Sequence, residues 1–206
     1  MNNIDRTKFN IFLLGDTTVG KTSLVEVLSG MPFSEKKLTT IGVDFIFQSA
    51  TFNGKKYTFK IFDTAGQERY QSIGDAQLKT SDGFLLIFSV DKKQTMERVS
   101  KWIESIEKNV NIDEKVLILV GNKIDIKERE VSEEEGLNYA KEKNLKYFET
   151  SAKTQAGVKE VFQQMYKDIY ELSIKNSSNK KAEEANKKFE IKEKDVKENK
   201  PRKCYF

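Results

Sequence analysis

The segment Gly15-Asp16-Thr17-Thr18-Val19-Gly20-Lys21-Thr22 has the spacing G-x-x-x-x-G-K-[ST], a combination of residue types suited to gripping phosphate. Glycines let a loop close tightly enough for its backbone N–H groups to converge on phosphate oxygens. A helix opening directly behind the loop adds partial positive charge. Lys21 is then placed to reach the β- and γ-phosphates of a nucleotide and the Thr22 hydroxyl to ligate Mg²⁺, with Ser23 completing the set. At average residue usage the pattern arises at fewer than about one position in ten thousand. It needs a strand before it and a helix after it, and Phe9–Leu14 and Lys21–Ser29 read as that pair.

A second segment, Gly121-Asn122-Lys123-Ile124-Asp125, selects the base. A carboxylate at Asp125 accepts two hydrogen bonds from the ring N–H and exocyclic amino group of guanine, a donor pair that adenine lacks on that edge. Asn122 is expected to meet the other edge of the base and brace the phosphate loop, while the Lys123 stem covers the ring face. Thr150-Ser151-Ala152-Lys153 follows a later strand and offers the Ala152 N–H to the guanine O6. Two more segments suit a sensor of the γ-phosphate. In Asp63-Thr64-Ala65-Gly66-Gln67-Glu68, Asp63 is expected to hold Mg²⁺ through water, the Gly66 N–H to bond a γ-phosphate oxygen, and Gln67 to orient the attacking water. In Thr39-Thr40-Ile41-Gly42-Val43-Asp44-Phe45, Thr40 is the candidate for a second Mg²⁺ ligand.

Positioning these residues requires strands that end together. Continuous apolar runs at Ile11–Leu14, Phe84–Val90 and Val116–Val120 read as strands buried on both faces. Phe45–Phe52 and Tyr57–Asp63 alternate more, and Asn53-Gly54 between them is a tight-turn dipeptide, so they form a hairpin. A last strand is expected at Lys146–Glu149. Helices are expected at Lys21–Ser29, Ser72–Thr80, Thr95–Asn109, Ser132–Lys143 and Val158–Leu172, the fourth opened by a capping box of Ser132 with Glu135. The alternation predicts an α/β domain with a mostly parallel sheet and one antiparallel edge strand.

Composition removes other chemistries. The 206 residues contain no histidine and one cysteine, Cys204, which excludes imidazole bases, Ser-His-Asp systems and a disulfide within the chain. Net charge is +4, but the excess is local. From Ile174 to Phe206 there are 11 basic and 6 acidic residues, leaving 25 against 26 in the first 173. A nearly neutral globular part argues against nucleic acid as partner. The reading is a domain over 1–173 and a flexible basic tail over 174–206. Apolar runs far shorter than the roughly 20 residues of a membrane span, and the lack of a signal-like amino end, lead to the expectation of a cytoplasmic chain.

These five elements, in this order, resemble a small GTPase of the Ras superfamily, and specifically its Rab branch. The resemblance runs from about Phe9 to Leu172, and Ile41-Gly42-Val43-Asp44-Phe45, Lys60 to Tyr70 and the Trp102-bearing helix carry the Rab likeness. It implies a P-loop NTPase fold with a six-stranded sheet and five flanking helices. It also implies a GTP/GDP switch in vesicle traffic, a monomer served by an exchange factor, a GTPase-activating protein, effectors and an escort protein or GDP-dissociation inhibitor. Lys21 and Gln67 are the catalytic candidates. The chain departs from the Rab pattern at Phe62, where Trp is usual, and at Gln77, in place of one of an effector-facing aromatic trio; both bear on partner choice. Thr17 and Thr18 stand where small residues are common, and stiff β-branched side chains there predict slower hydrolysis. Cys204 is the candidate for prenylation, with Lys197, Lys200, Arg202 and Lys203 as a second, electrostatic membrane signal. The alternatives are a Ras-like signalling GTPase, which the interswitch residues disfavour, and a GTP-binding module that does not cycle, against which the presence of Gln67 and Thr40 argues.

Overall fold

The computed structural model describes residues 6–35, 43–64 and 75–198. Thr40, Gly66, Gln67 and Cys204, with the expected helical residues 72–74, lie outside them. Six strands form one sheet: β1 (Lys8–Leu14), β2 (Val43–Phe52), β3 (Lys55–Thr64), β4 (Gly83–Ser89), β5 (Val116–Asn122) and β6 (Lys146–Thr150), in the order β2-β3-β1-β4-β5-β6. Every neighbouring pair is parallel except β2 with β3, whose register sets Phe45 opposite Phe62 and Asp44 opposite Asp63. The connecting turn has Asn53 at φ 49° and Gly54 at φ 76°, the two successive positive φ values of a twist-matched hairpin turn.

Alternation along β1 divides the apolar residues between two layers. Phe9, Ile11 and Leu13 face one core, with Phe59, Ile61, Leu85, Ile87 and Ile118, covered by helices α1 (Lys21–Leu28) and α6 (Val158–Glu198). Phe12 and Leu14 face the other, with Phe84, Leu86 and Phe88, covered by α4 (Val99–Asn109) through Trp102, Ile103 and Ile106. Every residue of β4 and β5 is buried, which is why their sequences read as unbroken apolar runs. The remaining helices are α2 (Asp75–Thr80), α3 (Lys93–Glu97) and α5 (Glu133–Glu142).

Helix ends depart from expectation in two places. The helix expected over Thr95–Asn109 is interrupted at Arg98, so that α3 and α4 together make one of five helical units. The last helix continues past Leu172 to Glu198, because the Lys-, Glu- and Ala-rich sequence beyond Leu172 favours helix without needing a core to pack against. The capping box is as expected: Ser132 Oγ accepts from the Glu135 N–H at 3.1 Å, and Glu135 accepts from the Ser132 N–H at 2.8 Å.

The five parallel strands share one carboxyl edge, where Leu14, Asp63, Ser89, Asn122 and Thr150 lie at or next to their ends. After β1 the chain builds β2 and β3 on one side, then crosses to β4 on the other. The carboxyl end of β1 is therefore a topological switch point, the place where open α/β sheets take ligands.

Candidate functional site

The loop leaving β1 lies against β4. Gly15 has φ 149°, and a Cβ there would stand 2.1 Å from the Ile87 carbonyl oxygen. Gly20, the last loop residue before α1, has φ 100°, and a Cβ would stand 2.4 Å from Asn122 Nδ2. Both motif glycines are thus required by close approach as well as by backbone conformation. Between them Thr18 adopts φ 64°, unusual for a β-branched residue and a local source of strain.

Lys21 opens α1 and is 4% exposed. Its ammonium donates to the Gly15 and Asp16 carbonyls, each at 2.7 Å. Burial lowers its pKa to about 8, against the charges of Asp63 and Asp16, which favour the protonated form. The lysine is therefore a desolvated cation at the mouth of the loop, a state that a phosphate oxygen would relieve. Thr22 and Ser23 follow in the first turn, both half-buried. Asp63, 3% exposed, lies in register with Leu13 of β1. A hydroxyl and a carboxylate are hard oxygen donors, and this pair beside a polyphosphate fits Mg²⁺, which takes one or two protein oxygens and completes its shell with phosphate and water.

The base-side residues are held by a separate network. Asn122, 1% exposed, donates from Nδ2 to the Val19 carbonyl at 2.7 Å and accepts at Oδ1 from the Thr150 hydroxyl at 3.0 Å. The expected brace from this asparagine to the phosphate loop is present. Ser151 Oγ donates to Asp125 Oδ1 at 2.6 Å and accepts from the Thr154 N–H at 3.0 Å, which fixes the carboxylate that would read guanine. Lys123 has φ 70° and stands 3.7 Å from Asp91. Ala152 is buried and Lys153 exposed; the latter pairs with Glu35 at 3.0 Å.

Three contacts were not legible in the motifs. Thr150 orients Asn122, Glu35 reaches across to Lys153, and Arg98 Nη1 meets Asp16 Oδ2 at 2.8 Å. Only Thr150, a hydroxyl at a strand's last position before Ser151, carried a local signal.

The edge strand offers a different surface. Phe45 and Phe47 on β2 are 45% and 63% exposed. The Lys60 ammonium lies 3.7 Å from the Phe45 ring centre and 4.6 Å from that of Phe62, within cation–π range.

A family model described as Ras family matches residues 10–171. Among similar proteins, the Ras-related protein Rab-12 of Mus musculus is 37% identical over 164 residues, covering 79% of this chain and 67% of its own length. The human Ras-related protein Rab-8B is 37% identical over 162 residues, 78% of each chain. The Ras-related protein Rab-18 of Lymnaea stagnalis is 34% identical over 176 residues, 82% of this chain and 87% of its own.

Proposed function

The chain belongs to the Ras family, and from that premise we propose that its Gly15–Thr22 loop and Asn122–Asp125 segment hold GTP and GDP in the roles expected of them. The protein is a Rab-like small GTPase, converting GTP and water to GDP and phosphate. The observation that carries the site reading is the Asn122 side chain, which ties the end of the base-reading strand to the Val19 carbonyl of the phosphate loop at 2.7 Å. One residue thereby sets the distance between the guanine and phosphate ends of a single ligand.

In this reading the Asp125 carboxylate, oriented by Ser151, accepts the two guanine N–H donors. Lys21 neutralises charge on the β- and γ-phosphates as the water oxygen bonds to the γ-phosphorus, the bridging oxygen leaves with the GDP, and the water's proton ends on the released phosphate or in solvent. Gln67 orients that water, and Gly66 donates its N–H to the γ-phosphate. Mg²⁺, when bound by Thr22, Thr40 and Asp63, supplies neutralisation of phosphate charge. Catalysis by positioning alone is slow, on the order of 10⁻⁴ s⁻¹ for Ras without a partner, which suits a switch better than a turnover enzyme.

Exchange factors, GTPase-activating proteins and effectors are the partner classes of such a switch. Effectors meet the aromatic face of Phe45 and Phe62, where Phe47 and Lys60 add an exposed ring and a cation. Among the described residues no helix is long and apolar enough to cross a membrane. Membrane attachment is assigned to a prenyl group on Cys204 with the basic residues before it, and an escort protein or GDP-dissociation inhibitor would shield that group. Single-turnover hydrolysis of preloaded GTP tests the reading: slow conversion to GDP in the wild type, with a further loss in Gln67→Leu, is expected. Equal rates in the two proteins would remove Gln67 from the mechanism.

A further inference from the structure

A polyphosphate site is a poor place for a carboxylate, yet Asp16 occupies the second position of the phosphate loop with its side chain only 7% exposed. Its carbonyl oxygen accepts from the Lys21 ammonium, and its side chain accepts from Arg98 Nη1 at 2.8 Å. The guanidinium arrives from a residue 82 positions along the chain, at the interruption between α3 and α4. That interruption is itself anchored beside the loop. Thr95 of α3 accepts from the Ser89 N–H at the end of β4 at 3.0 Å, and β4 is the strand whose Ile87 carbonyl lies against Gly15. Arg98 is thus carried on a short helix fixed to the same strand end as the loop it touches.

We propose that Arg98 is a positioning residue for nucleotide retention, which holds the Asp16 carboxylate and cancels its charge so that the loop meets phosphate with its amide dipoles and Lys21. The inference rests on the reading of Gly15–Thr22 as the phosphate loop. An arginine suits the task because it stays charged at any working pH and its planar fork holds a carboxylate in fixed geometry. Losing the cation leaves a buried anion beside the ligand's own negative charge, and the loss falls on ligand binding because the two repel. A brace that merely stiffened the fold would not distinguish the charge of its partner. The two roles separate when the Asp16 charge is removed together with Arg98.

The test follows release of a fluorescent GDP analogue from the full chain in Mg²⁺ with excess unlabelled GDP. Arg98→Met is expected to accelerate release about tenfold, the size of a partly exposed charge pair rather than of a fully buried one. Arg98→Lys, which keeps the charge, is expected to stay within about threefold of wild type, and the double variant Arg98→Met with Asp16→Asn is expected to recover most of the loss. Release from Arg98→Met at the wild-type rate would overturn the proposal, as would a double variant as fast as Arg98→Met. If Arg98→Met does not fold, Arg98→Gln, which keeps a hydrogen-bond donor without the charge, takes its place: release accelerated about tenfold supports charge cancellation, and release at the wild-type rate overturns it. Wild type that retains no guanine nucleotide would instead sink the reading of the loop itself, and this inference with it.

Discussion

The two ends of the nucleotide site are held by different forces. At the base end the buried ties are neutral side-chain hydrogen bonds, Thr150 to Asn122 and Asn122 to the Val19 carbonyl, with a charge-assisted bond from Ser151 to Asp125 and the ion pairs Lys123–Asp91 and Lys153–Glu35 outside them. At the phosphate end the ties are charges, with Lys21 on two carbonyls and Arg98 on Asp16. A pocket for a heterocycle can be completed by the fold because its polar groups satisfy one another without the ligand. A pocket for a polyanion must keep cations desolvated and in wait, and the burial that lowers the Lys21 pKa to about 8 is the source of that cost. On the proposed reading, base recognition is therefore built into the fold itself, whereas the phosphate loop gains most when its ligand arrives.

The largest expected effect breaks the base end alone. Asp125→Ala removes the carboxylate proposed to accept two guanine donors, and a hydrogen-bonded charge of this kind is worth about 3 kcal/mol, an expected loss of guanine affinity of roughly a hundredfold or more. Competition between GDP and ADP for the loaded fluorescent analogue reads it, with the preference for guanine collapsing. Asn122→Ala joins the two ends in one failure, since it strips partners from both the Val19 carbonyl and the Thr150 hydroxyl. A loss of about 2 kcal/mol in urea unfolding of the nucleotide-free protein is expected, along with faster nucleotide release. A smaller effect sharpens the strain at the phosphate end. Thr18 has φ 64°, and Thr18→Asn places there a residue that accepts this conformation, for a gain of up to about 1 kcal/mol in the same unfolding measurement.

The smallest effect lies away from both ends, in the cap of α5. The Ser132 backbone N–H, followed by Lys93 and the Ser132 hydroxyl, lowers the pKa of Glu135 from 4.5 to about 2. Between those values the unfolded chain binds the proton and the folded one does not. The contribution is therefore complete above pH 4.5 and is lost as pH falls through 2, following the linkage of proton binding to folding. Urea midpoints across that window are expected to fall less steeply in Glu135→Gln than in wild type. Parallel slopes would show that the Glu135 charge adds nothing to the cap.

What the sequence disclosed and withheld divides instead between local and distant partners, and the Gly15–Thr22 loop at the phosphate end was as legible as the base end. The base end and the strands were legible because their signals are local. Unbroken apolar runs mark β4 and β5, Asn53-Gly54 marks the hairpin, and Asn122 and Asp125 announce themselves by their spacing at the end of a strand. The Ser132–Glu135 box was legible because both partners lie within one turn. The Arg98–Asp16 pair was not, since its partners are 82 residues apart and neither belongs to a pattern that names the other. The break at Arg98 also has no proline or glycine to signal it. The end of α6 was hidden because apolar periodicity stops at Leu172, while helix propensity in the Lys- and Glu-rich stretch beyond does not.

The central claim is that the finished base end selects guanine. Chromatography of the nucleotide released by denaturing the purified full chain tests it most directly. GDP, or GTP not yet hydrolysed, is expected in near-stoichiometric amount. Stoichiometric adenine nucleotide would contradict the guanine-reading roles proposed for Asp125, Ser151 and Asn122.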